Sequence, residues 1–405
     1  MKRYWFSIVL VIFILGSVGT YYVAAAARSF PEYRLLTVSG DDNEAKSLVL
    51  QGDTKEYGSI DINAKGSSYF QEKSFLGSIF SNERFKYSPD LQQMMKEHKN
   101  FMRGKKTDNG FYQDNDVLAY ADVQIGKDIV NRTYRLNISV LNLKSNDKIN
   151  FSAVLPKQEN YSWVSTSDVQ VKGQTLTLIT YNVKKATSSQ QNEPTQEIHA
   201  YMIDLNKKSI VEDRVLLADE RLDDGRIVTY SILPSSQYSA PAESLAYQQM
   251  TQTFVKDKDG NESLESWEQS IFTYNLASGK SESVPALSSS SKDESADSGG
   301  PQAYVSQGSI IELVKEGADS LVKVYSNSDK TNREFRIPVT ETLNTLVYGD
   351  RLYTMTHDDD TTKVVIADLR QGKVVYTGAV DINEQGKKRA ELLKKLSIYA
   401  MYMTK

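Results

Sequence analysis

The sequence contains no cysteine and only three histidines in 405 residues. Without cysteine there are no disulfides, no thiolate metal sites and no lipid-modified N-terminal Cys. This suits the cytoplasm and an extracytoplasmic bacterial setting equally, so the compartment has to be read elsewhere. His98, His199 and His357 lie far apart in sequence and build no H-E-x-x-H motif. A G-x-S-x-G elbow, a Walker A loop and a dinucleotide fingerprint are also missing. No cofactor and no resident metal are therefore expected. Positive charge is not in excess: 48 Lys and Arg face 52 Asp and Glu, for a formal charge of −4. Nucleic acid rewards concentrated positive charge, so it is not an expected partner.

Apparent motifs dissolve on inspection. Gly279-Lys280-Ser281 lacks the earlier glycine of a phosphate loop, and Ser145–Lys148 matches S-x-x-K inside a hairpin turn. His357-Asp358-Asp359-Asp360 and Asp257–Asn261 are oxygen-rich but lack the spacing of a calcium loop, and both read as turns. The 24 tyrosines are the one compositional excess, and tyrosine suits both strands and recognition surfaces.

Tyr4 to Ala27 carries no charge and follows Lys2 and Arg3. As a helix this stretch would exceed a hydrocarbon core of about 30 Å. Residues 1–28 are therefore expected to be a cytoplasmic tip and a transmembrane signal-anchor, contacting the membrane through residues 4–27. Lys2 and Arg3 set the N-terminus inside and the body outside. The alternative is a signal peptide cleaved near Ala27, which would release the body.

After Arg28 the dominant pattern is alternation of apolar and polar residues, the signature of half-buried strands. Corners recur within it: SVLNLKSNDKINFSAVL from Ser139, YMIDLNKKSIVEDRVL from Tyr201, FTYNLASGKSESVPAL from Phe272 and KVVIADLRQGKVVYTG from Lys363, with a weaker copy from Leu321. In each, a strand meets an Asn or Asp, turns through polar residues and continues as a second strand. VKGQTLTLITY, SQGSIIELV and YGDRLYTMT precede several of them, and units of about 40–45 residues are the size of a propeller blade. The YNLASGK and ADLRQGK corners resemble the strand–turn–strand signature of WD40-like and quinoprotein-like β-propellers. The resemblance implies an all-β, propeller-like domain over 29–382, with six or seven blades of which five are detectable. Tandem β-sandwiches are the alternative. Segments 184–197 and 281–302 are polar and are expected to be flexible loops.

Two helices interrupt the strands. Ser88-Pro89-Asp90 opens a helical insertion over 88–104, with Leu91, Met94, Met95, His98 and Met102 at helical spacing. Residues 383–405 are expected to form a basic amphipathic helix, with Leu392, Leu396, Tyr399 and Met403 on one face. Its Lys387, Lys388, Arg389, Lys394 and Lys395 are the candidate contact residues for a protein partner or an anionic membrane surface.

The leading functional expectation is a membrane-anchored extracytoplasmic binding protein without catalysis: a sensor, scaffold or accessory subunit of an envelope or transport complex. One alternative is an exported lyase or hydrolase acting on cell-envelope glycan or peptide. Another is a protein that binds the membrane surface through its C-terminal helix.

Overall fold

The computed structural model describes residues 10–16, 30–70, 88–105, 107–128, 132–185, 196–235, 241–256, 258, 262–291, 302–358 and 361–404. Within these the body is all-β, with three short α-helices: α1 (Pro89–Glu97), α2 (Lys99–Met102) and α3 (Gly386–Lys394). The strands form six antiparallel sheets, numbered here in chain order. Sheets 2 to 5 span 111–154, 161–218, 220–291 and 302–337. Sheets 1 and 6 each draw on both ends of the chain. Sheet 1 joins Leu48–Thr54, Gly58–Asn63 and Gly66–Tyr69 to the late strand Leu396–Met403. Sheet 6 joins Asn344–Tyr348, Arg351–Asp358, Thr361–Asp368 and Lys373–Ile382 to the early strand Tyr33–Gly40.

Alternation accounts for how the sheets stack. Tyr376, Val380 and Ile382 point to one face of their strand, and the residues between them are partly solvated. Neighbouring sheets share these apolar faces. Leu50 and Ile62 of sheet 1 pack with Tyr353 and Ile366 of sheet 6. Ile138 meets Val169 and Leu178 between sheets 2 and 3, and Ile198 meets Leu245 between sheets 3 and 4. Ile271 meets Ile310 between sheets 4 and 5, and Val322 meets Leu352 between sheets 5 and 6. Sheets 3 to 6 thus each have a partner on both faces, which tandem sandwiches do not provide. Edge strands approach one another at three of the contacts: Phe111–Gln113 with Tyr161–Lys172, Gln302–Ser306 with Asn344–Tyr348, and Asn344–Tyr348 with Leu396–Met403. The result is a six-bladed, β-propeller-like architecture.

Between sheets 1 and 2 no shared apolar cluster exists among the described residues. The helix pair stands there instead. Ser88 caps α1, its Oγ accepting from Leu91 N at 3.3 Å. Leu91, Met94, Phe101 and Met102 then pack on Phe111, Leu118 and Leu141 of sheet 2. From the other side of α1, Gln92 Nε2 donates to the carbonyl of Met403 in sheet 1 at 3.4 Å.

The recurrent corner is the link between the last two strands of a blade. Asn142 Oδ1 accepts from the N–H groups of Lys144 and Ser145, both at 2.9 Å. Asp204 does the same for Asn206 and Lys207, and Asn275 for Ala277 and Ser278. Four residues after each corner position the chain turns left-handed, at Asn146, Lys208, Gly279, Lys330 and Gly372. A sixth corner, beyond the five seen in sequence, lies at Asn63 of sheet 1, where Oδ1 accepts from Lys65 N at 2.8 Å.

Two expectations are corrected. The transmembrane helix is not found: no helix among the described residues is long and apolar enough to cross a membrane. Residues 1–9 and 17–29, which include most of the segment expected to cross it, lie outside the described residues. The helix expected over 383–405 ends early, because α3 stops at Lys394 and Leu396–Met403 is a strand. Ile398, Met401 and Met403 are buried on it, and Tyr399 sits at a bulge opposite Gln51 and Gly52. Pairing with Leu48–Thr54 overrides the helical spacing of Leu396, Tyr399 and Met403. In the segment expected to be loop, Ser281–Ser283 and Ser289–Ser291 are strands of sheet 4, while 292–301 and 186–195 lie outside the described residues.

A charged clamp reinforces the closure. Arg351 of sheet 6 donates to both Glu44 oxygens at 2.7 and 2.9 Å and to Asp368 at 2.7 Å. Glu44 lies on the link between Tyr33–Gly40 and Leu48–Thr54. Arg351→Met should cost about 2 kcal/mol in urea unfolding, since two partly buried carboxylates lose their counter-ion. Removing residues 396–405 leaves Leu48–Thr54 as an open edge, and size-exclusion chromatography should then show loss of soluble monomer. A monomer with an unchanged melting temperature would contradict the closure.

Candidate functional site: the axial cavity

A cavity of about 320 Å³ lies among the edge strands Gln302–Ser306, Asn344–Tyr348 and Leu396–Met403. It is at the lower end of the usual range for ligand pockets, about 300–1,000 Å³. Three consecutive blades each contribute a tyrosine to its wall: Tyr304 of sheet 5, Tyr348 of sheet 6 and Tyr402 of sheet 1. Leu346, Val347, Met401 and Met403 line the same strands, and Pro234 comes from the link between the first two long strands of sheet 4. Ser88 and Pro89 bring the start of α1 into the wall, and Asp108 enters from the turn before sheet 2.

The polar groups here are unevenly served. The Tyr304 hydroxyl donates to Gln302 Oε1 at 2.8 Å. Burial raises it above the usual phenol range, an effect offset by the nearby Thr345 hydroxyl. Burial also raises Tyr348, and the Asp90 carboxylate of α1 beside it adds to the rise. Asp108 is held above the ordinary carboxylate range by burial alone. It is the single ionisable acid or base among the lining residues apart from the three phenols.

A second polar cluster lies away from this cavity, at the contact of sheets 2 and 3. His199 is 2% exposed, with Nδ1 2.7 Å from Asp213 Oδ1 and Nε2 3.1 Å from Glu197 Oε2. The Tyr161 hydroxyl stands 3.3 Å from Nε2, and burial pushes that phenol up to about 12. Burial would raise Glu197 too, but Lys184 and His199 outweigh it and hold the carboxyl low. Beside them, Thr180 donates to Asn182, and Asn182 donates to Tyr201. The order of groups imitates an acid–base relay, yet every member is a strand residue engaged within its own sheet. Its evident role is to satisfy a polar end of the sheet 2–3 contact.

The five basic residues singled out in sequence lie on or just after α3, and the structure engages three of them. Lys388 donates to Glu384 at 2.8 Å, Arg389 to Asp381 at 2.7 Å and Lys395 to Glu56 at 2.8 Å. Lys387 and Lys394 are exposed, and no ion pair among the described residues holds them. The three histidines sit on separate elements, and no group of three His, Cys, Asp or Glu side chains among the described residues is placed to hold a metal. The cavity residues escaped the sequence reading because they carry no motif. Those that lie on named strands share one feature, a place on an edge strand of sheet 5, 6 or 1.

Comparison with known proteins gives no match to a family model and none to a curated protein. Among solved structures the chain is similar to an uncharacterised protein, lmo1340, of Listeria monocytogenes EGD-e, at 12% identity and a TM-score of 0.32 over 68% of this chain and 67% of that one. It is also similar to the Dos1 propeller, at 9% identity and a TM-score of 0.28 over 63% and 56%. TolB from Acinetobacter baumannii follows at 9% identity and 0.20 over 67% and 80%. Likeness at this level carries no inference about ligand or activity.

Asp168, on the first strand of sheet 3, offers a clean pH test. Burial lifts its carboxyl to about 6, against the hydrogen bond from Gln170 Nε2 at 2.9 Å. A raised carboxyl makes the folded state bind more protons than the unfolded one. Its penalty is absent below the unfolded value near pH 4, grows as pH rises, and is complete above about 6. Asp168→Asn should therefore leave stability at pH 4 unchanged and raise it at pH 7.5 by about 1–2 kcal/mol. Urea midpoints at the two pH values measure the difference.

Proposed function

We propose that this chain is a binding protein whose ligand site is the cavity among the edge strands of sheets 5, 6 and 1. The observation that carries the reading is convergence: three separate blades, a helix start and a turn all contribute to the wall of one partly open cavity. Binding sites in repeat architectures form where successive units meet, because no single unit can surround a ligand. The wall is mostly apolar and aromatic with few polar groups, the usual make-up of a site that holds a small molecule. The alternative, a hydrolase or lyase, needs an acid and a base converging on one substrate position. The described cavity supplies one carboxyl, and the histidine with paired carboxylates lies elsewhere, at the sheet 2–3 contact.

Saturation-transfer NMR with a library of small soluble fragments tests the site. Fragments that bind the wild-type chain should lose their signal in Thr345→Trp, which fills the cavity from a position on its wall. Hits that persist unchanged in a folded Thr345→Trp variant would place binding elsewhere and overturn the reading.

A further inference from the structure

Resting on the cavity as the ligand site, we propose that it selects a small organic cation with an apolar body, such as an alkylated or quaternary amine. The charge balance of the wall points this way. Among the described residues that line it, none is Lys, Arg or His. Its one formally charged side chain is Asp108, and no cation pairs with that carboxylate among the described residues. An anionic ligand would meet this carboxylate with nothing to offset it. A neutral ligand would leave the carboxylate in a partly desolvated setting without a partner. A cation relieves both costs at once.

The rest of the wall suits the same ligand. Aromatic rings attract cations through their negative faces, and this attraction strengthens where water is excluded. Tyr304, Tyr348 and Tyr402 come from edge strands of three neighbouring sheets, Gln302–Ser306, Asn344–Tyr348 and Leu396–Met403. Met401, Met403, Leu346 and Pro234 supply apolar surface for alkyl groups. Methionine thioethers are polarizable and adapt to irregular ligand shapes. The hydroxyls of Ser88 and Thr345 add polar points for a hydroxyl or amide on the ligand.

The test uses three probes of nearly the same shape on the full chain: choline, its neutral isostere 3,3-dimethylbutan-1-ol and the anion 3,3-dimethylbutanoate. Isothermal titration should show choline binding about tenfold more tightly than the neutral alcohol, with the anion weakest. Asp108→Asn should abolish the preference for choline and leave the affinity for the alcohol unchanged. Tyr304→Leu should lower choline affinity more than alcohol affinity, which guards against a folding defect in the first variant. Equal binding of choline and the alcohol, both lost in Thr345→Trp, would overturn the cation preference and leave the cavity as the site. Tighter binding of the anion would overturn it likewise. If no probe binds and the Thr345→Trp variant loses no fragment signal, the cavity reading falls as well.

Discussion

The whole arrangement depends on two strand pairings made by the ends of the chain. Leu396–Met403 hydrogen-bonds to Leu48–Thr54, and Tyr33–Gly40 hydrogen-bonds to Lys373–Ile382. Each unites residues more than three hundred positions apart, so each pairing carries a large loop-closure cost. Without them sheets 1 and 6 are incomplete, and the cavity loses the strand that carries Met401, Tyr402 and Met403. The Arg351 clamp adds charge pairing at the same junction, tying the link between the two early strands to the body of sheet 6. Tyr33 does similar work from within the core, its hydroxyl donating to the carbonyl of Leu392 at 3.1 Å.

Local patterns were legible in the sequence, and long-range pairings were not. The corners at Asn142, Asp204, Asn275 and Asp368 could be read because an Asn or Asp, a polar turn and flanking alternation are all local. The corner at Asn63 escaped because its turn is shorter and its last strand, Gly66–Tyr69, has only four residues. LSIYAMYM read as helix because its apolar residues fit either period, and the deciding partner, Leu48–Thr54, lies at the opposite end of the sequence. The N-terminal apolar run was read from composition alone, and no helix among the described residues is long and apolar enough to cross a membrane. The candidate site was the least legible part. Asp108, Tyr304, Tyr348 and Tyr402 come to line one cavity only through the long-range arrangement of the sheets.

Two polar settings in the same protein show how burial and partnership divide structural from receptive groups. Around His199 each charged group has a counterpart, and the network is closed within the sheet 2–3 contact. Around Asp108 the wall offers phenols and thioethers but no cation. A satisfied network has little to gain from a ligand, whereas an unbalanced one does.

The junction of sheets 1 and 2 has a mechanical consequence. Five contacts around the ring are welded by interdigitated apolar side chains, and opening any of them exposes core. The sixth, among the described residues, is bridged by α1 and α2, which pack on sheet 2 and reach sheet 1 through the Gln92–Met403 hydrogen bond. Strain imposed on the ring therefore collects at that seam, as load collects at the latch of a hoop. The residues that open α1, Ser88 and Pro89, also face the cavity, so the seam and the space it encloses share a wall.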